Sequence, residues 1–222
     1  MAPDDGEVLR CPLCHWCGAA WANVECRPGM CVRQACPNCL CLPRERLIWR
    51  LIIRLCNTRF LAAASNPSGL RVLEIGGTDR LGVRARARYD YKNADINPFA
   101  APVDYLILRG RIPLENSPFN IVIVSYVLCV IEHARDRVRL LKEARRLANV
   151  GSVLIYFDDL DLRNLCHVRL PKGAFFHLWR FGRPILDELR NSGWQPTPIW
   201  RERGLASIGA ATELPYVLCT AG

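Results

Sequence analysis

Apolar positions fall into two regimes that meet near residue 43. After Pro43, in "PRERLIWRLIIRL", Leu47, Ile48, Leu51, Ile52 and Leu55 recur on one helical face, and Arg46, Arg50 and Arg54 on the opposite one. The spacing predicts an amphipathic helix from Pro43, a residue suited to a first helical turn, to about Ala63. "SNPSG" then reads as a loop. "LRVLEIGG" is an unbroken apolar run closed by paired glycines, which predicts a buried strand and a tight turn. Further strands are predicted to end at "ADI" and to run through "VDYLIL", "FNIVIVSY", "SVLIYFD", "QPTPIW" and "LPYVLCT". Helical patterns lie between them: about Arg80–Arg88, "ARDRVRLLKEARRLANVG" closing near Gly151, and "RPILDELRNSGW" stopping at its glycine. Strand and helix in alternation imply a largely parallel sheet with helices on both faces. Such sheets bind ligands at the carboxyl ends of their strands, which places the site near Gly76 and Asp95.

Residues 11–41 follow neither period. They hold turn formers at Gly18, Pro28, Gly29 and Pro37, and no internal repeat or low-complexity tract is evident. They also hold eight of the twelve cysteines of the 222-residue chain. The opening "MAPDDGEVLR" has no apolar core of a secretion signal, and "FNIVIVSYVLCVI" is too short and interrupted to span a bilayer. A cytoplasmic protein without a membrane partner is therefore expected, and there clustered thiols favour metal over disulfides. Cys11-x2-Cys14 and Cys36-x2-Cys39 have the spacing of two knuckles gripping one tetrahedral zinc. Four thiolates leave no open position, so the site is expected to be structural. Cys17, Cys26, Cys31 and Cys41 remain. They admit a second zinc, a shifted register in which Cys14 and Cys17 form the knuckle, an iron–sulfur cluster, or no ligand role at all. Cys56, Cys129, Cys166 and Cys219 lie in apolar contexts and read as core fillers.

"VLEIGG" followed by "ADI" is the informative pair. Glycine after a buried strand lets backbone approach a ligand, and an acid ending the next strand about twenty residues on can accept both hydroxyls of a ribose. Together they point to a nucleoside-containing cofactor. Here the sequence resembles the class I S-adenosylmethionine-dependent methyltransferases. The likeness extends to "SPFNIVIVSYVLCVIEHARDRVRLLKEARRLANVGS", with Val130–His133 in the place of the family's "VLEH", and to "RFGRPILDELRNSGW". "CPLCHW…CPNCLCLPRERLIW" resembles a bacterial subgroup carrying an N-terminal four-cysteine knuckle.

The resemblance implies a Rossmann-like α/β fold: a seven-stranded, mostly parallel methyltransferase sheet with a small N-terminal zinc-knuckle cap. The cap would span residues 1–43 and the methyltransferase domain 44–222. It implies S-adenosylmethionine and zinc as cofactors, the former met by Glu74, Gly76, Gly77, Asp95, Ile96 and Ser125. The chain departs from the family at Gly77-Thr78-Asp79, where further glycines are usual, at Leu108 beside Arg109, where an aspartate is common, at Val150-Gly151-Ser152, and at Asn120 in place of aspartate. No catalytic residue is assigned; His133, His167 and His177 are candidate bases.

The net charge of +9 admits an anionic partner, but only Lys92, Lys142 and Lys172 of the thirty basic residues are lysine, a bias a GC-rich genome also produces. The preferred reading is a methyltransferase acting on a small-molecule acceptor in a biosynthetic pathway. The alternatives are an RNA methyltransferase, with Arg46, Arg50 and Arg54 as a phosphate track, and a non-catalytic zinc-bearing interaction module.

Overall fold

The computed structural model describes residues 8–27, 30–60, 67–77, 79–97, 103–115, 119–171, 178–199 and 216–221, without the side chains of 24–33. The side chains of Cys26 and Cys31, and His177, lie outside the described residues. What is described divides into two compact units, 8–67 and 68–221.

The first unit holds two short antiparallel hairpins and one helix. β1 (Leu9–Arg10) pairs with β2 (Cys17–Gly18), and β3 (Ala22–Arg27) with β4 (Met30–Ala35). No strands were expected here. Register shifts between Ala22 and Val24 and between Glu25 and Arg27 interrupt the two-residue period by which a strand is read. Helix α1 (Pro43–Thr58) starts at its proline, and the Leu42 amide donates to Glu45 Oε2 at 2.7 Å, securing the first turn. The helix expected after the cysteines therefore belongs with them, on the near side of the division at 67/68. Its arginine stripe is not uniformly wet. Arg54 is exposed and Arg50 half-buried, but Arg46 is fully buried.

The second unit is built on β5 (Arg71–Ile75), α2 (Asp79–Arg86), β6 (Asp90–Asp95), β7 (Tyr105–Leu106), β8 (Phe119–Ser125), α3 (Ala134–Arg146) and β9 (Ala148–Phe157). A small hairpin of β10 (Val168–Arg169) and β11 (Trp179–Arg180), α4 (Ile185–Asn191), β12 (Trp194–Ile199) and β13 (Tyr216–Ala221) complete it. The sheet order is β12-β13-β9-β8-β5-β6-β7. β5 pairs in parallel with both β6 and β8, while β13 runs antiparallel to β9 and β12. The sheet is seven-stranded, mostly parallel and Rossmann-like, as expected, and its order reverses between β5 and β8. The outer strand β12 carries Pro196 and Pro198 at positions paired with Cys219 and Val217.

Several boundaries differ from expectation. α3 ends at Arg146, and Gly151 lies inside β9 at φ 79° instead of closing the helix. β7 keeps only two of the six residues of "VDYLIL". Asn120 accepts the Arg71 amide at 2.9 Å and joins the start of β8 to the start of β5. Cys56, Cys129 and Cys219 are buried as expected, but Cys166 is exposed. No helix among the described residues is long and apolar enough to cross a membrane.

The core packs Leu140, Leu141 and Ala144 of α3 against Val122 and Val124 of β8 and Leu154 and Tyr156 of β9, and the Trp194 indole donates to the Leu141 carbonyl at 3.2 Å. α3 and α4 are joined by a buried pair. Arg137 Nε and Nη2 fork onto Glu188 at 3.0 and 2.6 Å, with side chains only 3% and 12% exposed. Burial opposes the charge on Glu188, but hydrogen bonds from His167 and Arg137 outweigh it and hold the carboxyl below its usual range. Replacing Arg137 with Met is expected to destabilise the protein by about 3–5 kcal/mol, because a buried carboxylate loses its fork. Urea denaturation checks this; a loss below about 1 kcal/mol would class the pair with exposed ones.

Candidate functional site

Two places gather the residues singled out from the sequence, one in each unit. In the second unit, the carboxyl ends of β5, β6 and β8 meet at the switch point. Gly76 leaves β5 at φ 82°, and its amide donates to the Ala94 carbonyl of β6 at 2.9 Å. A Cβ at residue 76 would lie 2.3 Å from the Ser125 carbonyl oxygen and 2.9 Å from Val127 Cβ. A Cβ at residue 77 would lie 2.6 Å from Asn93 Oδ1 and 2.9 Å from Glu74 Oε2. At residue 76 the obstacle is backbone, which gives that glycine a steric reason; at residue 77 it is the tips of the Asn93 and Glu74 side chains, which a larger residue would have to displace.

Glu74 is 1% exposed and its carboxylate accepts the Tyr91 hydroxyl. Burial, with the Glu74 charge added, raises that hydroxyl well above its usual range and keeps it a donor. The Glu74 carboxylate thus lies beneath the turn, buried against β6. Asp95 ends β6 at 7% exposure and accepts the Asn97 amide at 2.8 Å. Burial pushes its carboxyl up, against the pull of the Asn97 and Ile96 amides. Ile96 is exposed and Ser125 buried.

Three residues at this end were not foreseen. Tyr91 and Asn93 share a face of β6 with Asp95, so the two-residue period of "YKNAD" carried the signal. Tyr126 leaves β8 at φ 52°, a left-handed conformation that costs a non-glycine residue about 1–3 kcal/mol. Its amide donates to the Phe157 carbonyl at 3.0 Å and its ring lies 5.7 Å from that of Phe157. No local pattern announces it. Strain of this kind is held only where surrounding structure enforces it, here by the end of β9. Asp158 follows, fully enclosed and pushed up to about 6 by burial, while accepting the Cys129 amide at 3.2 Å.

Of the candidate bases, His133 is exposed at the start of α3. His167 Nδ1 accepts the Gly182 amide at 3.2 Å, so Nε2 carries the proton it shares with Glu188 at 3.0 Å. Both nitrogens are committed within the fold, which leaves His167 no lone pair for an acceptor. An open groove of about 660 Å³ beside Leu108, Ile112 and Glu143 contains none of the candidate residues. The Glu143 carboxylate there is taken by the Ile112 amide and the Arg146 fork.

In the first unit the sulfurs of Cys11, Cys14, Cys36 and Cys39 lie within 4.8 Å of one another. Four thiolates around one zinc stand about 3.8 Å apart for a Zn–S bond near 2.3 Å, so the cluster fits a single tetrahedral ion. The two knuckles repeat each other. Cys11 N–H donates to the Trp16 carbonyl at 2.8 Å and Cys36 N–H to the Cys41 carbonyl at 3.0 Å. His15 and Leu40 donate back to the Cys11 and Cys36 carbonyls, at φ 60° and 57°. Amides of Leu13 and Cys14 bond the Cys11 sulfur as those of Asn38 and Cys39 bond Cys36. "CPLCHW" and "CPNCLC" are thus a short internal repeat, contrary to the expectation of none.

The thiols carry the electrostatic mark of crowding. Cys11 is raised by its hydrogen bond to Cys41 and by burial, and burial raises Cys36 and pushes Cys39 up to about 12. Cys14 stands at about 7, where burial is outweighed by the Trp16 amide and by Asn38 and neighbouring thiols. A dication among the four sulfurs removes the repulsion that keeps protons on them. Cys17 is exposed and bonds the His15 carbonyl at 3.6 Å, outside the cluster. Cys41, expected among the leftover thiols, lies 3.4 Å from Cys11.

Comparison with solved structures places the fold among class I S-adenosylmethionine-dependent methyltransferases. The CurJ carbon methyltransferase superposes with a TM-score of 0.54 at 14% identity, over 80% of this chain and 54% of that one. This chain thus spans about half of that structure. CalS10, an amino pentose methyltransferase of Micromonospora echinaspora solved with S-adenosylmethionine, gives 0.53 at 11% identity, over 76% and 90%. The glycopeptide N-methyltransferase MtfA, solved with S-adenosyl-L-methionine, gives 0.51 at 16%, over 75% and 93%. No family model matches the chain, and no curated protein is similar to it by sequence.

The steric account of the turn is checked by two alanine substitutions at positive φ. Gly76→Ala is expected to cost about 3–5 kcal/mol, since backbone strain and a clash with backbone add. Gly151→Ala, with nothing within 4 Å of its Cβ, should cost about 1–2 kcal/mol. Equal losses in thermal unfolding would refute the clash.

Proposed function

We propose that the chain is an S-adenosylmethionine-dependent methyltransferase acting on a small-molecule acceptor in a biosynthetic pathway, with one structural zinc on Cys11, Cys14, Cys36 and Cys39. The observation that carries the reading is the obligatory glycine turn between β5 and β8 with Asp95 beside it at the end of β6. Asp95 would hold the ribose hydroxyls, Gly76 and Gly77 would admit the cofactor against backbone, and Ile96 and Ser125 would border it. Glu74 and Tyr91 would keep the turn in shape. When bound, S-adenosylmethionine supplies an electrophilic methyl group; the fold's part is to align the acceptor with it. The similar structures of an amino pentose methyltransferase and a glycopeptide N-methyltransferase support the small-molecule class.

The RNA alternative is weakened by the burial of Arg46, which removes it from a phosphate track. A cytoplasmic, reducing setting suits eight clustered thiols.

Asp95→Ala is expected to weaken S-adenosylmethionine binding by about 1.5–3 kcal/mol, the cost of hydrogen bonds to a charged group. Calorimetric titration of wild type and variant measures it. Wild type that binds neither S-adenosylmethionine nor S-adenosylhomocysteine would turn the reading to a non-catalytic module. Metal analysis is expected to return at least one zinc per chain, and Cys36→Ser to abolish it while the second unit keeps its unfolding transition.

A further inference from the structure

Among the described residues of the first unit, the most deeply buried cation is Arg46, which is 0% exposed in the first turns of α1. Its Nη1 donates to the Cys41 carbonyl at 2.7 Å and lies 3.8 Å from the Cys41 sulfur. Its Nη2 donates to the Gln34 carbonyl at 2.6 Å, at the end of β4. The guanidinium stacks 3.9 Å from the centre of the Trp21 ring, and Trp21 lies 5.2 Å from Trp16.

These contacts converge on the two knuckles. The Cys41 carbonyl that Arg46 holds is the same one that closes the second knuckle by accepting Cys36 N–H. The Trp16 carbonyl closes the first knuckle, and Trp16 reaches Arg46 through Trp21. Four thiolates around one dication leave two net negative charges in a largely buried place. Enclosing them is costly unless positive charge lies nearby. A guanidinium suits this: it is always charged, weakly hydrated, and forks across two acceptors. Cys41 is set between them, its sulfur 3.4 Å from Cys11 and beside the Arg46 fork.

We propose that Arg46 is the charge-balancing and positioning residue of the metal centre, acting through the Cys41 carbonyl, and that Cys41 belongs to this outer shell and not to a second ligand set. The proposal rests on the zinc reading above. It makes α1 the element that reports whether the metal is bound, since the helix reaches the knuckles through this side chain.

The test uses the full chain and its Arg46→Met, Arg46→Lys and Cys41→Ser variants. Zinc retention is measured against a competing chelator, and cobalt(II) replaces zinc for spectroscopy. Arg46→Met is expected to hold zinc about 10–100-fold more weakly, the usual effect of losing an outer-shell partner. Its cobalt form should keep tetrahedral ligand-field bands while the sulfur-to-cobalt charge-transfer band shifts, because the thiolates lose the nearby cation. Arg46→Lys should recover part of the affinity, keeping the charge but not the fork. Cys41→Ser should keep the intensity of four thiolates. A folded Arg46→Met with wild-type affinity and an unmoved band overturns the role of Arg46, and loss of one thiolate's intensity in Cys41→Ser makes Cys41 a ligand and overturns its placement. If Arg46→Met does not fold, Arg46→Lys decides: parity with wild type overturns the proposal. Wild type without zinc overturns the zinc reading itself, an outcome distinct from wild type with one zinc and an Arg46 variant that retains it equally well.

Discussion

The Ser125 carbonyl occupies the space that a side chain at residue 76 would need. Much of the second unit follows from that contact. β5 and β8 are adjacent and parallel, the chain reverses its direction of winding between them, and their ends are pressed together so closely that only glycine fits. The approach brings the turn over Glu74 and ties it to Ala94, the residue before Asp95, and β8 passes on to Tyr126 in a strained conformation tied to β9. The shape of this turn is thus set by backbone.

The first unit obeys a different constraint. Its strands are only two to six residues long, and its buried aliphatic side chains are concentrated in α1. Small units of that sort are held by staples. The repeated knuckles aim amide groups at four sulfurs and accept the cost of left-handed His15 and Leu40 to do so.

The strand-and-helix order, the glycine turn and the two knuckles were legible because each depends on short-range pattern: hydrophobic period, paired glycines, fixed cysteine spacing. What stayed hidden depends on contacts between distant segments. Arg46 has the helical phase of an exposed residue, and only the carbonyls of Cys41 and Gln34 explain why it is inside. The hairpin β3–β4 is bulged, so its period is broken. His167 looked available as a base until Gly182 and Glu188 claimed its two nitrogens. The six-residue knuckle repeat was readable in "CPLCHW" and "CPNCLC", but its second half differs at most positions other than the cysteines and proline, and the likeness lies in hydrogen bonds.

The paired prolines of β12 bear on how this molecule meets its own copies. Pro196 and Pro198 stand two residues apart, so their ring nitrogens face the same side of the strand, and the intact ladder to β13 puts that side outward. An incoming strand would find no donors at these two places along the outer rim. At the far rim β7 offers only two residues. Among the described residues, both rims of the seven-stranded sheet thus offer little backbone for the edge-to-edge stacking from which β-rich aggregates grow.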